Sequence, residues 1–405
     1  LKAMTSAVTA DTYNTAVGYR AGLSVTSGVS NTLIGAQAGD AIQGGSNDVL
    51  IGKGAGTDLT SGESNVAVGT SALGSETTGH DNVAVGHQTL TTLNTGSSGY
   101  NTAVGRRAGY VMTSGVNNTL IGANVGDALT SGTNNVAMGY NALSTEDTGG
   151  QNVAIGVNAL NTLNYAGNGM NVAVGYNAGV LMTTGLNNTL IGGSAGAAIL
   201  GATDNVCIGT YSGDGITTGV RNTAVGTYAL SSEDANGYNV AVGHGALLNQ
   251  NAGTDAHNTA VGYTTGSLIS TGVRNTIIGS QAGDALTTGS YNVAVGYDAL
   301  STEDADGRNV AVGYQALTTQ DAGADAYNVA VGFYAGTALT TGNANTIIGG
   351  NAGEASLTTE TSVMIGKDAG KLTTAIGRAT FVGTGAGDAL NYTGSNLTAI
   401  GFNAE

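Results

Sequence analysis

Residues 292–307 read NVAVGYDALSTEDADG, and residues 135–150 read NVAMGYNALSTEDTGG, nearly the same text at a distance of 157 residues. Inside this long block, the word Asn-(Thr/Val)-(Ala/Leu/Ile)-(Val/Ile)-Gly recurs from Asn14 onward. It closes on 21 glycines from Gly18 to Gly366, which lie 17 residues apart except at four steps of 19. A fixed period of this length is typical of a solenoid, in which each repeat forms one turn of a stack.

The composition of the repeat favours β-structure. We number each repeat from its Asn, so that the closing Gly is position 5. Position 2 is Thr or Val in every repeat, and position 4 is Val or Ile in all but one. β-Branched residues two apart share one face of a strand, and stacked strands pair in parallel about 4.8 Å apart. We therefore predict an all-β fold, a parallel β-solenoid (β-roll) of about 21 rungs, where a rung is one repeat.

The repeats divide the chain into three parts. Residues 1–13 are predicted to be a lead-in, and residues 14–370 the solenoid repeat domain with its 157-residue superperiod. Beyond Gly366 the word degrades, so residues 371–405 are predicted to be degenerate rungs or a cap, as terminal repeats often are.

The composition of the 405 residues excludes several classes of protein. There are 69 Gly but no Pro, which excludes collagen, and one Cys, which excludes a disulfide scaffold. The net charge of −16, with only 11 basic residues, argues against a nucleic-acid partner. Hydrophobic residues make up 41% and charged residues 9%, so the chain is not of the disordered class.

Two positions of the repeat are nearly invariant. Position 1 is Asn in 19 of 21 repeats, and position 5 is always Gly. We expect the asparagines to form a structural hydrogen-bonded ladder, with a row of ligands as the alternative. We expect the glycines to form corners that need positive φ or close backbone approach. The first members of these rows are Asn14, Asn31, Asn65, Asn82 and Asn101, and Gly18, Gly35, Gly52, Gly69 and Gly86.

Position 15 is a second glycine-rich position. Asn236 and Asp306 replace Gly there, and because both residue types tolerate left-handed geometry, a left-handed corner is predicted.

Position 9 separates two kinds of rung. Gly-corner rungs have Gly at position 9 and an apolar residue at position 12, as in AGDALTTG at 282–289. Leu-corner rungs have Leu at position 9 and a polar residue such as Glu at position 12, as in ALSTED at 299–304. We interpret this as one core volume filled from two points of the rung, and a changed loop path is the alternative.

Position 3 is apolar as well, so the strand has two apolar sides. A strand of this kind is usually buried on both faces. We expect one face to line the solenoid and the other to contact a second chain, and we connect position 3 with that assembly.

The acidic residues do not predict catalysis. Glu146/Asp147, Glu233/Asp234 and Glu303/Asp304 recur four or five rungs apart, with Glu76 in an equivalent rung. They are too distant to act as a glycosidase pair, so we expect solvated edge charges, with a weak Ca²⁺ site as the alternative. The four His share no metal-ligand spacing. We therefore expect no enzyme activity, no catalytic residue and no cofactor.

Tyrosine is the suggestive surface feature. Six tyrosines follow the invariant Gly directly, where they can stack on sugars, shield a corner or pack between chains. These possible contact residues are Tyr19, Tyr140, Tyr176, Tyr263, Tyr297 and Tyr314.

NVAIGVNA at Asn152–Ala159, with NTLIG and NVAVGYNAL elsewhere, resembles the head repeats of YadA-like trimeric autotransporter adhesins. Similar repeats occur in phage tail fibres. The resemblance covers residues 14 to about 370. It implies a left-handed parallel β-roll, three chains side by side and a role in surface attachment.

These observations predict a structural fibre segment of an extracellular, cell-surface or virion appendage with an adhesive, receptor-binding role. The expected partners are further copies in a homotrimer or filament and a surface glycan or receptor, with no nucleic acid and no membrane insertion. An ice-binding solenoid is the alternative, because Thr-Thr-Gly recurs at positions 13–15, as at Thr287 and Thr340. A tailspike-like polysaccharide-degrading enzyme is a second alternative.

Overall fold

The computed structural model describes residues 11–305, 307–374, 377–388 and 395–405. The predicted lead-in therefore lies mostly outside the described residues, as do parts of the predicted C-terminal segment. The described chain is an all-β parallel solenoid with a period of about 17 residues, built from three-residue strands. It divides into two units, Leu1–Thr203 and Asp204–Glu405.

Unit 1 contains eleven strands within its described residues. They are β1 Thr15–Val17, β2 Thr32–Ile34, β3 Val49–Ile51, β4 Val66–Val68, β5 Val83–Val85, β6 Thr102–Val104, β7 Thr119–Ile121, β8 Val136–Met138, β9 Val153–Ile155, β10 Val172–Val174 and β11 Thr189–Ile191.

Unit 2 contains twelve strands in the part that the structure describes. They are β12 Val206–Ile208, β13 Thr223–Val225, β14 Val240–Val242, β15 Thr259–Val261, β16 Thr276–Ile278, β17 Val293–Val295, β18 Val310–Val312, β19 Val329–Val331, β20 Thr346–Ile348, β21 Val363–Ile365, β22 Thr380–Val382 and β23 Thr398–Ile400.

Within each unit, every strand pairs in parallel with the next strand along the chain, one rung away. Leu33 lies beside Leu50 at the usual 17-residue offset. Ala84 lies beside Ala103 at an offset of 19, so the two extra residues do not disturb the strand register. In unit 2, β22 and β23 continue the column past residue 370, since Phe381 pairs with Met364 and with Ala399.

The strand faces correct one sequence-based expectation. The middle residue, position 3, is fully buried in each strand from β2 to β22, whether it is Ala67, Leu50 or Cys207. Positions 2 and 4 instead point outward and are half-buried or exposed. Our link between position 3 and assembly was therefore wrong. Both sets of side chains are apolar, so alternation alone does not distinguish the inner set from the outer one.

The glycine positions have different physical causes. Gly69 at position 5 has φ +138°, and a methyl group there would lie 2.6 Å from the carbonyl carbon of Gly86. Gly115 at position 15 has no positive φ, but a methyl group would lie 2.6 Å from the Gly132 carbonyl oxygen. In the 17-residue rungs position 15 is thus a close approach between rungs, and the predicted left-handed corner was wrong there. Asn236 has no positive φ either, and Asp306 lies outside the described residues.

The longer rungs differ at this position. In three of the 19-residue rungs position 15 is a glycine with positive φ, and the predicted left-handed corner is confirmed there. These glycines are Gly96, Gly253 and Gly323, with φ of +66°, +71° and +70°.

The two kinds of rung fill one core in two ways, as predicted. In the Gly-corner rung of Leu286, a methyl group on Gly283 would lie 2.8 Å from the Leu286 Cδ1 atom. The position-12 side chain therefore occupies the space beside position 9. In the Leu-corner rung, Leu300 at position 9 fills the core itself and is fully buried.

Candidate functional site

The outward side of the strand column is an apolar surface that runs along each unit. We call it the strand face, defined as positions 2 and 4 of the rungs. It carries Thr, Val and Ile on neighbouring parallel strands, and the exposed fraction of its side chains is 39% at Ile278 and 57% at Val17. A continuous row of half-exposed β-branched side chains presents a regular surface that a second protein surface can cover.

An aromatic row follows the strand face in unit 2. We call positions 6 and 7 the post-strand row. The ring centroids of Tyr297 and Tyr314 are 5.4 Å apart and those of Tyr314 and Phe333 are 5.3 Å apart, all nearly parallel. Tyr263 stacks in the same way on His244 at 5.5 Å. The row forms because stacked rungs bring identical positions close together.

The six sequence-predicted tyrosines are all exposed, but the structure joins only some of them to other rings. Tyr263, Tyr297 and Tyr314 belong to the stacks of the post-strand row. Tyr19, Tyr140 and Tyr176 take part in none of the ring contacts found in the described part of the chain.

The stacking geometry bears on sugar binding. A sugar that binds an aromatic ring needs an open ring face, whereas Tyr314 has Tyr297 on one face and Phe333 on the other. Tyr314 therefore has no ring face open to a sugar. The arrangement favours lateral packing over sugar stacking within the row.

A second row precedes the strand in unit 2, and its Arg and His members were not singled out from the sequence. We call it the pre-strand row, the last residue of each rung. Arg221 donates from Nη1 to the Tyr238 hydroxyl at 2.6 Å, and Arg274 donates to the Tyr291 hydroxyl at 2.8 Å. The Arg308 guanidinium lies over the Tyr291 ring. The members of the row are Arg221, Tyr238, His257, Arg274, Tyr291, Arg308 and Tyr327. The signal was present as seven consecutive rungs ending in Arg, Tyr or His.

The Asn ladder is buried in both units. Asn31 donates its backbone N–H to the Asn14 Oδ1 atom at 2.8 Å, and its Nδ2 donates to the Gly45 carbonyl at 2.8 Å. Asn101 repeats both contacts with Asn82 and Gly115. Each of these side chains therefore satisfies a backbone carbonyl of its own rung and a backbone N–H of the next rung. Because these amides are buried and engaged, they act as structural groups and not as a row of ligands.

Asp48 interrupts this ladder. Its Oδ1 accepts from the Asn65 backbone N–H at 2.9 Å, but its buried Oδ2 has no hydrogen-bond partner. Where the ladder residue is Asn, as at Asn31, its Nδ2 atom donates to the backbone carbonyl of the residue fourteen positions later in the chain. Burial of the carboxyl group raises the pKa of Asp48 to about 7.

The position-12 glutamates overturn another expectation. Glu76, Glu146, Glu233 and Glu303 are fully buried, so our interpretation of them as solvated edge charges was wrong. Each of them lies in the rung that precedes a 19-residue rung. Glu76 Oε1 accepts from the Gly79 N–H at 2.7 Å, and its Oε2 accepts from the Thr95 N–H at 3.0 Å.

These contacts explain why a carboxylate is buried there. Thr95 belongs to the longer rung, whose inserted loop directs an N–H inward, and the Glu76 carboxylate accepts it. Glu146 contacts the Tyr165 N–H in the same way at 3.3 Å. Burial raises the pKa of Glu146 and that of Glu233. The sequence signal was the regular pairing of Glu with the following longer rung.

The Thr row at position 13, considered for ice binding, is engaged within the solenoid. Thr113 donates its hydroxyl to the Thr130 carbonyl at 3.1 Å, and Thr130 donates to the Asp147 carbonyl at 3.0 Å. Thr287 and Thr340 make the corresponding contacts in unit 2. These hydroxyl donors serve the neighbouring rung rather than an external array of water.

Chemistry-bearing groups are dispersed. The described residues contain no cluster of three or more His, Cys, Asp or Glu arranged to hold a metal ion. Cys207 is buried, and burial raises the pKa of its thiol to about 12. Nowhere in the described chain is there a helix both long and apolar enough to cross a membrane.

A scan against protein-family models finds no matching family, and a search of curated proteins finds no relative.

Proposed function

We propose that this chain is a structural fibre segment of an extracellular, cell-surface or virion appendage, that three parallel copies pack side by side, and that the assembly mediates adhesion. The observation that carries the proposal is the strand face. In a lone chain it leaves a row of Val and Ile half in water along each unit. Covering an apolar face of this kind is favourable by about 25 cal/mol per Å².

The remaining chemistry supports a structural role over the enzyme alternative. A polysaccharide hydrolase needs two carboxyl groups that reach the substrate. The position-12 glutamates, such as Glu76 and Glu146, are turned into the core instead. The resemblance of the repeat word to adhesin head repeats supports three copies and an attachment role.

The assembly is tested by sedimentation equilibrium of the full chain, where we expect the mass of three copies. Lysine at two half-buried positions of the strand face, Val295→Lys with Val312→Lys, should release single chains. The matched control is Thr271→Lys with Thr288→Lys, which adds the same charge at two exposed positions away from the strand. A single-chain mass for the unmodified protein would contradict the assembly.

Adhesion and ice binding are tested separately. Beads coated with the protein should be retained on immobilised cell-surface glycans or on cells, and retention on neither would remove the adhesive role. Thermal hysteresis should be zero, because the position-13 hydroxyls already donate to backbone carbonyls. A measurable hysteresis would favour the ice-binding alternative instead.

A further inference from the structure

The pre-strand and post-strand rows of unit 2 flank the same strands. Arg221 precedes β13 and Tyr228 follows it. Arg308 precedes β18 and Tyr314 follows it. The two members of each pair lie on opposite sides of the same three-residue strand, so they do not serve each other within one chain.

We infer that these rows pair between copies of this chain, so that the pre-strand row of one copy packs against the post-strand row of the next beside the same strand. This inference rests on the proposed side-by-side assembly and names the residues that set its register. If like rows met, Arg would face Arg across the interface, which is unfavourable. When opposite rows meet, the guanidinium groups of Arg221 and Arg308 each face a phenol ring, to which they can donate or on which they can stack.

Both rows are already ordered for such a contact. Arg274 is held against Tyr291 by a hydrogen bond of 2.8 Å and by a guanidinium–ring distance of 5.5 Å. Tyr297 is held by its stack on Tyr314. Side chains that are fixed before association lose less conformational entropy on binding. Tyr and Arg are also the residue types that concentrate binding energy at protein interfaces.

The pairing has a direction, which determines the kind of assembly. A contact between two different surfaces is heterologous, and it closes into a ring when the rotation between copies permits. The strand face between the two rows then turns toward the neighbouring copies. This accounts for apolar side chains at positions 2 and 4 of the strand between the rows, such as Val310 and Val312.

Cysteine pairs test the register in the full chain. Tyr314→Cys with Arg308→Cys places two thiols beside one strand, β18, and a bis-maleimide shorter than the roughly 10 Å between alternate strands should join the copies covalently. Ser280→Cys with Arg308→Cys places the thiols beside β16 and β18, two strands apart, and should leave single chains on a denaturing gel. Cys207 adds little background, because it is buried and its thiol pKa is raised to about 12.

The outcomes distinguish a failure of the proposed register from a failure of the proposed side-by-side assembly. Equal joining of the matched and mismatched pairs would overturn the register, and so would joining by Arg308→Cys alone, since like rows would then meet. A single-chain mass before any reaction would instead remove the assembly itself.

Substitution tests the energetic role of the arginines. Ser64, Asn117 and Gln151 stand 157 residues before the three arginines, so Arg221→Ser, Arg274→Asn and Arg308→Gln install the unit 1 residues. We expect this triple variant to keep its circular dichroism spectrum and to lose association. The control is Arg378→Asn, because Arg378 precedes β22, which is followed by Thr384 and Gly385 instead of an aromatic residue. Unchanged association of the triple variant would overturn the inference.

Discussion

Units 1 and 2 share one backbone plan but differ in how they satisfy their buried polar groups. The superperiod places Glu76 of unit 1 at the position of Glu233 in unit 2, and Leu93 at that of Gln250. Glu76 is surrounded by backbone N–H groups, including that of Thr95. Glu233 instead takes one backbone N–H and one Asn side chain. The same period therefore tolerates two polar networks, provided that each buried group finds a partner.

Replacing these glutamates should have the largest effect on the free energy of unfolding, and the size of the loss should differ between the two units. Glu76→Leu removes the acceptor of the Thr77, Gly79 and Thr95 N–H groups. An orphaned N–H costs about 1–3 kcal/mol, so we expect a loss of roughly 3–5 kcal/mol. Glu233→Leu orphans the Asn236 N–H and the Asn239 amide, so the loss should be smaller, about 2–3 kcal/mol.

Urea unfolding of both variants measures this difference, with Glu76→Gln as the control that keeps one acceptor oxygen. Equal losses in the two units would mean that the backbone contacts of Glu76 contribute nothing beyond those of Glu233.

Asp48 distinguishes unit 1 by its response to pH. The carboxyl group has a pKa of about 7 in the folded chain, against about 3.9 when unfolded. The folded state binds its proton more tightly, so stability is full below pH 4 and falls as the pH rises through 7. The cost above pH 7 is on the order of 4 kcal/mol as an upper bound.

Asp48→Asn should remove that cost and restore the Nδ2 donor of the ladder. The difference between the melting temperatures at pH 5 and pH 8 should therefore be smaller in the variant than in the parent chain. The control is Ser362→Asn, the other departure from the Asn ladder in the repeat domain, which involves no titrating group. A pH profile unchanged by Asp48→Asn would show that the carboxyl group ionises without cost.

Gln250, the unit 2 equivalent of Leu93, should contribute less to stability than the glutamates. Gln250 Oε1 accepts from Asn258 Nδ2 at 2.7 Å, yet that same Nδ2 also donates to the Gly272 carbonyl at 2.7 Å. Asn258 thus stays satisfied when Gln250 becomes Leu, and we expect a change of about 1 kcal/mol.

The reverse exchange, Leu93→Gln, should be equally mild. The Gln250 amide donates to the Ser270 carbonyl, and the Thr113 carbonyl lies at the equivalent place in unit 1. Urea unfolding of both variants checks the pair. A loss above about 3 kcal/mol in either would mean that the units are not interchangeable at this position.

The sequence predicts the repeat, the parallel pairing and the core exchange between positions 9 and 12, because each follows from a period seen many times. It did not predict which strand face is buried, since positions 2, 3 and 4 are all apolar. The sequence-based expectation for Glu76 was wrong, because burial of its carboxylate depends on the direction of the Thr95 N–H in the 19-residue rung that follows. The Arg and Tyr rows become visible only when the same position is compared between successive rungs, as for Arg274 and Tyr291.

The smallest effect tests what the units have in common. Thr130 and Thr287 are equivalent in the superperiod, and their hydroxyls donate to the Asp147 and Asp304 carbonyls at 3.0 and 2.8 Å. Backbone N–H groups donate to both carbonyls as well, so Val at either position leaves no orphaned acceptor. We expect each Thr→Val change to cost about 0.5–1 kcal/mol, and the double variant to cost their sum. If the two Thr→Val changes lower the free energy of unfolding by different amounts in urea, equivalent hydrogen bonds differ in strength between the units despite the shared backbone.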